Sequence, residues 1–308
     1  MRQNNQITLP GFLITLVGAV LFSTKAIIVK KAFNSVHVDA LTLLTLRMVF
    51  SLPFYLIAAF LSSNKKGNVR MNSKEWLYVI LLGIFGYYLS SLFDFIGLQY
   101  ISAGLERLIL FLYPTFAVLI NVYFFDQKMS GAQKIALLLT YLGIAIAYYG
   151  ELSIDTSNPH FYLGSIFVFI CAVTYSIYIA GSGKIIPYIG STKFTAFAML
   201  AATTAIFVHF IIKGHIPALN VGAGLWYYGL ALAIVATVIP SFLLSNGLKR
   251  IGANNVAIIS AIGPVSTIVQ AHYFLGERIF TEQVVGTILV ISGVLLTALR
   301  RVTPDKEI

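Results

Sequence analysis

Apolar runs of about 20 residues recur ten times along the chain, separated by short polar breaks. A run of that length crosses the hydrocarbon core of a bilayer as a helix, so the pattern predicts ten transmembrane helices. The predicted spans are 12–31, 40–61, 76–98, 105–124, 133–150, 163–181, 193–212, 225–245, 255–274 and 283–299. The polar breaks are too short to fold as soluble domains, so function is expected within the bundle or at its mouths.

Composition supports a membrane protein in contact with the lipid bilayer. Of the 308 residues, 58% are apolar and 10% are charged, and the mean hydropathy is +0.86. The net charge of +10 comes from Lys and Arg at span ends rather than from one basic patch, so we expect no nucleic-acid partner. The lone Cys171 cannot form a disulfide framework or a thiolate metal site, and we expect no metal and no cofactor.

An internal repeat divides the chain. Residues 97–150 align without a gap on residues 247–300, and eleven of the aligned positions are identical. We therefore predict two repeats, 1–150 and 151–308, of five spans each. An odd number of spans makes the second copy enter the membrane from the opposite side. The expected fold is all-α, with ten transmembrane helices as two inverted five-helix repeats.

Basic residues set the expected orientation. Fourteen lie on the face that holds the N-terminus, the C-terminus and the loops after spans 2, 4, 6 and 8, whereas five lie on the opposite face. Cytoplasmic loops carry an excess of Lys and Arg, so both termini are expected in the cytoplasm.

Five ionisable residues fall within the outer half of the predicted first-repeat spans or at the head of span 4. They are Lys25, Arg47, Asp94, Glu106 and Arg107. A charge at the bilayer centre costs about 2.5 to 3.5 kcal/mol, so these side chains should face the bundle interior. We name these five residues the charged layer. Its excess of positive charge favours an anionic or zwitterionic solute.

Helical spacing places further polar side chains beside this layer. Tyr87 and Ser91 share a face with Asp94, and Tyr113 shares one with Glu106. Two interpretations stay open. The layer binds solute and a coupling proton, for which Asp94 is the candidate, or it forms internal salt bridges that lock the first repeat, such as Arg47 with Asp94 and Lys25 or Arg107 with Glu106.

The second repeat has no equivalent charges in its spans. Tyr175 and Tyr178 in span 6 and Gln270 in span 9 are candidate solute contacts, although such residues also pack and hydrogen-bond between helices. His209 and His272, near the outer ends of their spans, are expected to be hydrogen-bonded interface residues rather than proton relays.

Prolines and small residues recur at equivalent positions. Pro114 and Pro264 fall at mid-membrane, where a proline frees a backbone carbonyl, so both are candidate hinges beside the pathway. Gly143 with Ala147 and Gly293 with Thr297 form small-xxx-small patterns in spans 5 and 10. Such patterns allow close packing within the bundle or a homodimer through these spans.

The chain resembles the EamA family of the drug/metabolite transporter superfamily. The resemblance rests on the duplicated half and on a second-repeat pattern: Pro264, then Phe274-Leu275-Gly276-Glu277-Arg278, then Gly286 and Gly293. The first repeat departs from it with Phe125-Asp126-Gln127-Lys128. The resemblance implies movement of small metabolites, commonly amino acids or amines and often outward, in the bacterial inner membrane. Glu277 is expected to be a capping or loop residue.

These features predict a secondary transporter of small polar metabolites. The sequence has no nucleotide-binding loop, so transport would be passive or ion-driven. One alternative is a membrane sensor or scaffold that uses the bundle as a ligand switch. An intramembrane enzyme is the other, although its carboxylate pair, Ser/His pair or metal cluster at membrane depth is not evident in the spans.

Overall fold

The computed structural model describes residues 8–36, 38–65, 68–113, 115–116, 119–120, 123, 131–154, 159–213 and 223–300. Its elements are α1 (Leu9–Val36), α2 (Ala40–Ser63), α3 (Ser73–Gly83), π1 (Ile84–Leu89), α4 (Ser90–Leu98), α5 (Ala103–Leu110), α6 (Gly131–Ile154), α7 (Phe161–Ile189), α8 (Ser191–Ile212), α9 (Ala223–Ala233), π2 (Ile234–Val238), α10 (Ile239–Ser260), α11 (Gly263–Leu275) and α12 (Thr281–Arg300). All regular structure within the described residues is helical.

Polar residues at the helix starts explain several boundaries. The Asp39 side chain accepts a hydrogen bond from the Thr42 N–H and begins α2. Asn72 and Glu75 form a capping box at α3, and the Ser102 hydroxyl accepts from the Leu105 N–H at α5. Each side chain satisfies a backbone N–H that lacks a partner within its helix.

Seven helices of the described part are long and apolar enough to cross a membrane. They cover Leu9–Val36, Ala40–Ser63, Ser73–Leu98, Lys134–Leu152, Phe161–Ser182, Ser191–Ile212 and Gly224–Leu244. These seven confirm predicted spans 1, 2, 3, 5, 6, 7 and 8. Predicted spans 4 and 9 are interrupted, and the apolar part of α12 at span 10 is the shorter segment Thr281–Leu296, so the ten-span arrangement stays a prediction.

Helix breaks account for spans 4 and 9. Helix α5 ends at Leu110 and is followed by a turn at residues 111–112, and much of the rest of span 4 lies outside the described residues. In span 9 a turn at residues 261–262 precedes α11, which begins with Pro264 in its first turn and has 13 residues. Proline is favoured there because its missing N–H would have no helical partner. Pro264 thus lies at a helix start rather than at a bend within a helix.

The helices of the two halves are interrupted at equivalent positions, separated by the same 150 residues as the sequence repeat. The turns at 111–112 and 261–262 lie 150 residues apart, as do the starts of π1 at Ile84 and π2 at Ile234. Short π-helical segments are rare and occur frequently at functional sites. Their recurrence at matched positions indicates that both halves build the same kind of interrupted helix.

The predicted break between spans 8 and 9 lies inside α10. A Cβ added to Gly247 would lie 3.5 Å from Val256 Cγ2. In a straight helix, residues nine apart are separated by about 13.5 Å along the axis. The chain therefore turns back within α10, as the sequence predicts for residues 246–254, although the turn is helical rather than an open loop.

Each half packs its first helix against the other half. Helix α1 contacts α10 and α11, and α7 contacts α4 and α5. The Ser23 hydroxyl donates to the Gly263 carbonyl at 3.3 Å, and the Ser176 hydroxyl donates to the Tyr113 carbonyl at 2.9 Å. Both accepting residues lie directly before a proline, so the serines bond to the backbone where the helices are interrupted.

Small residues join α6 to α12 within the chain. A Cβ on Gly143 would lie 2.6 Å from the Gly286 carbonyl oxygen, and one on Gly293 would lie 2.4 Å from Thr140 Oγ1. These glycines allow the two backbones to approach closely. A homodimer through predicted spans 5 and 10 would therefore need other faces of these helices.

Candidate functional site

All five residues of the charged layer are buried. The exposed fractions are 8% for Lys25, 4% for Arg47, 6% for Arg107 and 0% for both Asp94 and Glu106. The helices that carry them are α1, α2, α4 and α5, all from the first half. Burial of five ionisable groups is costly unless they pair or bind a charged ligand.

Lys25 lies between two carboxylates. Its Nζ is 2.7 Å from Asp94 Oδ2 and 3.7 Å from Glu106 Oε1. The two carboxyl groups also interact electrostatically with each other. The cluster is held by the attraction between Lys25 and the two carboxyl groups.

Arg47 does not pair with Asp94. Its Nη2 donates to Ser91 Oγ at 3.0 Å, and its guanidinium carbon lies 5.4 Å from the centre of the Phe95 ring. The salt bridge between Arg47 and Asp94, considered above as a lock, is thus not formed, because Lys25 occupies the Asp94 carboxylate instead. Arg47 Nε is buried with no hydrogen-bond partner in the described part of the chain.

Arg107 contacts aromatic rings rather than a carboxylate at ion-pair distance. Its guanidinium carbon lies 5.5 Å from the ring centres of both Phe22 and Phe111. A Cβ on Gly263 would lie 2.8 Å from Arg107 Nη2, so the glycine leaves room for the guanidinium against the second half. Arg107 Nε also has no hydrogen-bond partner among described groups. Phe22 further lies 5.9 Å from Lys25 Nζ.

Formal charges in the layer are three positive and two negative. Arg47 Nε and Arg107 Nε have no hydrogen-bond partner among the described residues. Each could donate to an anionic group.

Four tyrosines predicted as site residues form one aromatic cluster. The Tyr87 and Tyr178 hydroxyls lie 2.9 Å apart, with ring centres 4.9 Å apart. Tyr175 connects this pair to Tyr113, with ring centres 5.7 Å from Tyr178 and 5.0 Å from Tyr113. Tyr87 and Tyr113 come from the first half and the other two from α7. The cluster is thus a shared surface between the halves.

Gly86 makes room for this tyrosine cluster. It lies in π1, and a Cβ there would come within 2.2 Å of Tyr178 Cγ. No side chain fits at that position unless the Tyr178 ring moves. The glycine therefore fixes how closely π1 approaches α7.

We expect Gly86→Ala to lower stability by about 1 to 3 kcal/mol, as overpacking of a well-packed interior does. Thermal unfolding of the detergent-solubilised protein measures the effect. Gly131→Ala is the matched control, because a Cβ at Gly131 meets no described atom within 4 Å. Equal midpoints for the two variants would contradict the close packing of Gly86 against Tyr178.

Other predicted residues lie apart from the charged layer. Gln270 donates to Ser266 Oγ on its own helix at 2.8 Å, and no described contact joins it to the layer. Pro114 lies outside the described residues, as do Phe125-Asp126-Gln127-Lys128. His209 Nδ1 lies 2.9 Å from the Tyr88 hydroxyl, and His272 Nδ1 lies 2.9 Å from the Glu277 carbonyl oxygen. Both histidines are hydrogen-bonded, as predicted.

Glu277 caps a helix of the other half. Its Oε1 accepts from the Ala103 N–H at 2.9 Å, and its Oε2 accepts from the Gly104 N–H at 3.2 Å. Gly276, with φ of 71°, ends α11 in the left-handed region and lets the chain turn toward α5. The interpretation of Glu277 as a capping residue is confirmed, and the capped helix carries Glu106 and Arg107.

Sequence reasoning missed two residues beside the layer. Phe22 contacts both Lys25 and Arg107, but an aromatic residue in an apolar span gives no signal of this role. Gln283 is 3% exposed, and its Oε1 is buried without a hydrogen-bond partner in the described part. A Cβ on Gly104 would lie 2.3 Å from Gln283 Nε2, which places this amide against the start of α5. Its identity with Gln133 in the repeat was the available clue.

A groove of about 460 Å³ opens between α2, α8 and α10. Its lining is mostly apolar and comprises Phe54, Ile57, Ala58, Leu61, Ser62, Lys65, Thr192 and Phe242. A smaller cavity adjoins it and reaches Tyr55, whose hydroxyl lies 3.1 Å from Ser241 Oγ. The groove lies toward the end of α2 that is followed by Lys65.

Comparison with known proteins agrees with this architecture. The profile of the EamA-like transporter family matches residues 9–149 and again residues 162–299. The chain is similar to the uncharacterized transporter YcbK of Bacillus subtilis (strain 168), at 32% identity over 288 residues, 90% of this chain and 88% of YcbK. It is also similar to the uncharacterized transporter YyaM of that strain, at 25% identity over 78% of each chain.

One solved structure, a crystal structure, shares the fold. Its TM-score is 0.66, with 18% sequence identity, and the match covers 96% of this chain and 99% of the other. At that identity the likeness concerns the fold alone. The two profile matches, the likeness to YcbK and the seven apolar helices lead to one conclusion: the chain is a multi-pass membrane protein that belongs to the EamA-like transporter family.

Proposed function

We propose that the protein is a secondary transporter, not an enzyme, and that it moves small polar metabolites, in particular amino acids or related zwitterionic and anionic solutes. The observation that carries this proposal is the charged layer, with five buried ionisable groups and two arginine Nε donors that have no partner among the described residues. Ionisable groups within a membrane bundle usually mark a solute or ion pathway. Family membership supports transport and leaves the solute to be found.

In this proposal the solute binds to the charged layer. Its negative group would accept hydrogen bonds from Arg47 and Arg107, whose Nε donors have no partner among the described residues. A positive group would approach Asp94 and Glu106, competing with Lys25, which lies 2.7 Å from Asp94. The tyrosine cluster beside Arg107 would contact apolar parts of the solute through its rings.

Alternating access between inverted repeats would move the solute. The matched turns, the matched π segments and the reciprocal serine contacts of Ser23 and Ser176 support two similar halves that exchange shape. Pro264 and its counterpart Pro114 are the proposed hinges. With both termini in the cytoplasm of a bacterial cell, the groove beside Lys65 would open on the cytoplasmic side of the inner membrane.

A thermal-shift screen of the purified protein tests the proposed solute class. The probes are amino acids, amines, organic acids, nucleosides and sugar phosphates at millimolar concentration. A ligand at 100 times its dissociation constant adds about 2.7 kcal/mol to stability. We expect stabilisation by amino acids or organic acids. Stabilisation by nucleosides alone would contradict the assignment of the layer to charged solutes.

If Asp94 carries a coupling proton, flux should depend on an imposed pH gradient. A proton on one member of the Asp94 and Glu106 pair would relieve their repulsion and loosen the hold on Lys25. In proteoliposomes we expect a pH gradient to accelerate flux in the parent but not in Asp94→Asn. Flux in the parent protein that does not change with the pH gradient would contradict proton coupling and indicate facilitated exchange.

The orientation and the sensor alternative are tested separately. Reporter fusions after Asn68 should lie in the cytoplasm, and a periplasmic signal would reverse the proposed topology. A sensor or scaffold would bind solutes without flux, so a ligand that stabilises the protein but never crosses a proteoliposome membrane would favour that function. The proposed homodimer is tested separately, by measuring the molecular mass of the protein in detergent.

A further inference from the structure

We propose that Glu277 is a positioning residue that holds the charged layer in place and keeps one entrance closed. This inference rests on the proposed transport function. The entrance in question lies at the end of the bundle where Glu277 meets α5, which we name the Glu277 end. It lies opposite to the groove beside Lys65. Lys30, near the end of α1, contacts Ile101 directly before α5, and α2 begins shortly after α1 at that end and finishes near Lys65.

The contact itself is specific and crosses the two halves. Both carboxylate oxygens of Glu277 accept backbone N–H groups, from Ala103 and Gly104, 174 and 173 residues earlier in the chain. These N–H groups begin the eight-residue helix α5 and have no partner within it. A negative charge at a helix start also interacts favourably with the helix dipole. His272 orients the turn through its bond to the Glu277 carbonyl.

The capped helix carries part of the charged layer. Glu106 lies three residues after Ala103, and Arg107 follows it, so both belong to the first turns of α5. Gln283 from α12 contacts the same helix start at Gly104. The segment from Glu277 to Gln283 of the second half therefore contacts the start of α5 at both of its ends. A displacement of this segment would change the positions of Glu106 and Arg107 relative to Lys25.

First-half contacts close the same region. Lys30 Nζ donates to the Ile101 carbonyl oxygen at 2.7 Å, directly before α5. Ala103 is 0% exposed at the contact, whereas the opposite end has a groove of about 460 Å³. An alternating-access cycle has to open the Glu277 end while closing that groove. The Glu277 contact is a charged link between the halves that this opening would break.

Thiol labelling tests the proposal without knowledge of the solute. In a Cys171→Ala background, Ala103→Cys reports on the Glu277 end and Ala58→Cys reports on the groove. A membrane-impermeant maleimide is applied to right-side-out vesicles for the first and to inside-out vesicles for the second. We expect Glu277→Gln to speed labelling of Ala103→Cys about tenfold, the factor that corresponds to about 1.4 kcal/mol. Labelling of Ala58→Cys should slow.

Each other outcome counts against the proposal. Unchanged labelling at both reporters would show that the contact does not hold the entrance. Faster labelling at Ala103→Cys alone would indicate local fraying of α5, and faster labelling at both would indicate general loosening. Glu282→Gln, which removes an exposed carboxylate five residues later, is the control and should change neither rate. Should Glu277→Gln fail to fold, Glu277→Asp shortens the reach and is expected to shift both rates in the same directions.

Labelling tests the role of Glu277, and flux tests the transport function, so the two proposals can be contradicted separately. Reciprocal labelling changes with no flux of any solute would contradict the transport function and leave the Glu277 contact as a coupled gate. Flux in the parent with no labelling change in Glu277→Gln would leave transport intact and remove Glu277 from its control.

Discussion

Replacing Arg47 with alanine is expected to abolish transport while the protein stays folded and inserted. Arg47 forms its hydrogen bond and ring contact with neutral partners, Ser91 and Phe95, and Asp94 keeps its ion pair with Lys25 when Arg47 is removed. Its Nε donor is unused by the described residues and is available to a solute. Losing a charged contact to a ligand typically costs 2 kcal/mol or more. We therefore expect at least a roughly thirtyfold loss of solute affinity, measured by ligand-induced thermal shift.

A conservative variant and a control variant test whether the effect is specific to Arg47. Arg47→Lys keeps the charge but loses the planar fork of donors, so it should retain weak binding. Arg250→Ala removes an exposed arginine that bonds only to Asn246 on its own helix among described contacts, and it should behave as the parent. Normal flux in Arg47→Ala would remove Arg47 from the site.

In contrast to Arg47→Ala, which should stay folded, Lys25→Met is expected to lose much of its stability. Methionine keeps most of the side-chain volume but leaves the Asp94 and Glu106 carboxylates buried together without Lys25. Removing one partner of a buried ion pair typically costs about 3 to 5 kcal/mol. Thermal unfolding should show a midpoint well below that of the parent and of Lys31→Met, which changes an exposed lysine on the same helix.

A second substitution tests the cause. Asp94→Asn in the Lys25→Met background removes one of the two facing charges and should restore part of the lost stability. A double variant as unstable as the sum of the two single variants would show that Lys25 and Asp94 do not interact energetically.

The charged layer was predictable because charges within apolar spans are costly wherever they occur. Lys25, Arg47, Asp94, Glu106 and Arg107 could be selected from the sequence, since an isolated charge in lipid has to face inward. Their pairing was not predictable in the same way. Whether Arg47 or Lys25 meets Asp94 depends on how α1, α2 and α4 pack in three dimensions, and helical periodicity describes only single helices.

Helix interruptions show a similar limit. Pro264 predicted an irregularity at mid-membrane, but not that a helix would begin there. The turn at residues 261–262 contains Ala and Ile, which give no local signal to stop a helix, so tertiary packing determines the break. The cap of α5 by Glu277 joins positions about 174 residues apart, and the sequence indicated a capping role without its partner.

The most direct test of the central claim is solute flux in proteoliposomes that hold the parent, Arg47→Ala or no protein. Radiolabelled solutes that stabilise the parent in the thermal-shift screen would be followed by counterflow, in which an unlabelled internal pool draws labelled solute inward. A buried charged layer that binds the transported solute predicts saturable counterflow in the parent and none above the protein-free level in Arg47→Ala. Equal rates in the parent and in protein-free liposomes, for every solute that binds, would contradict it.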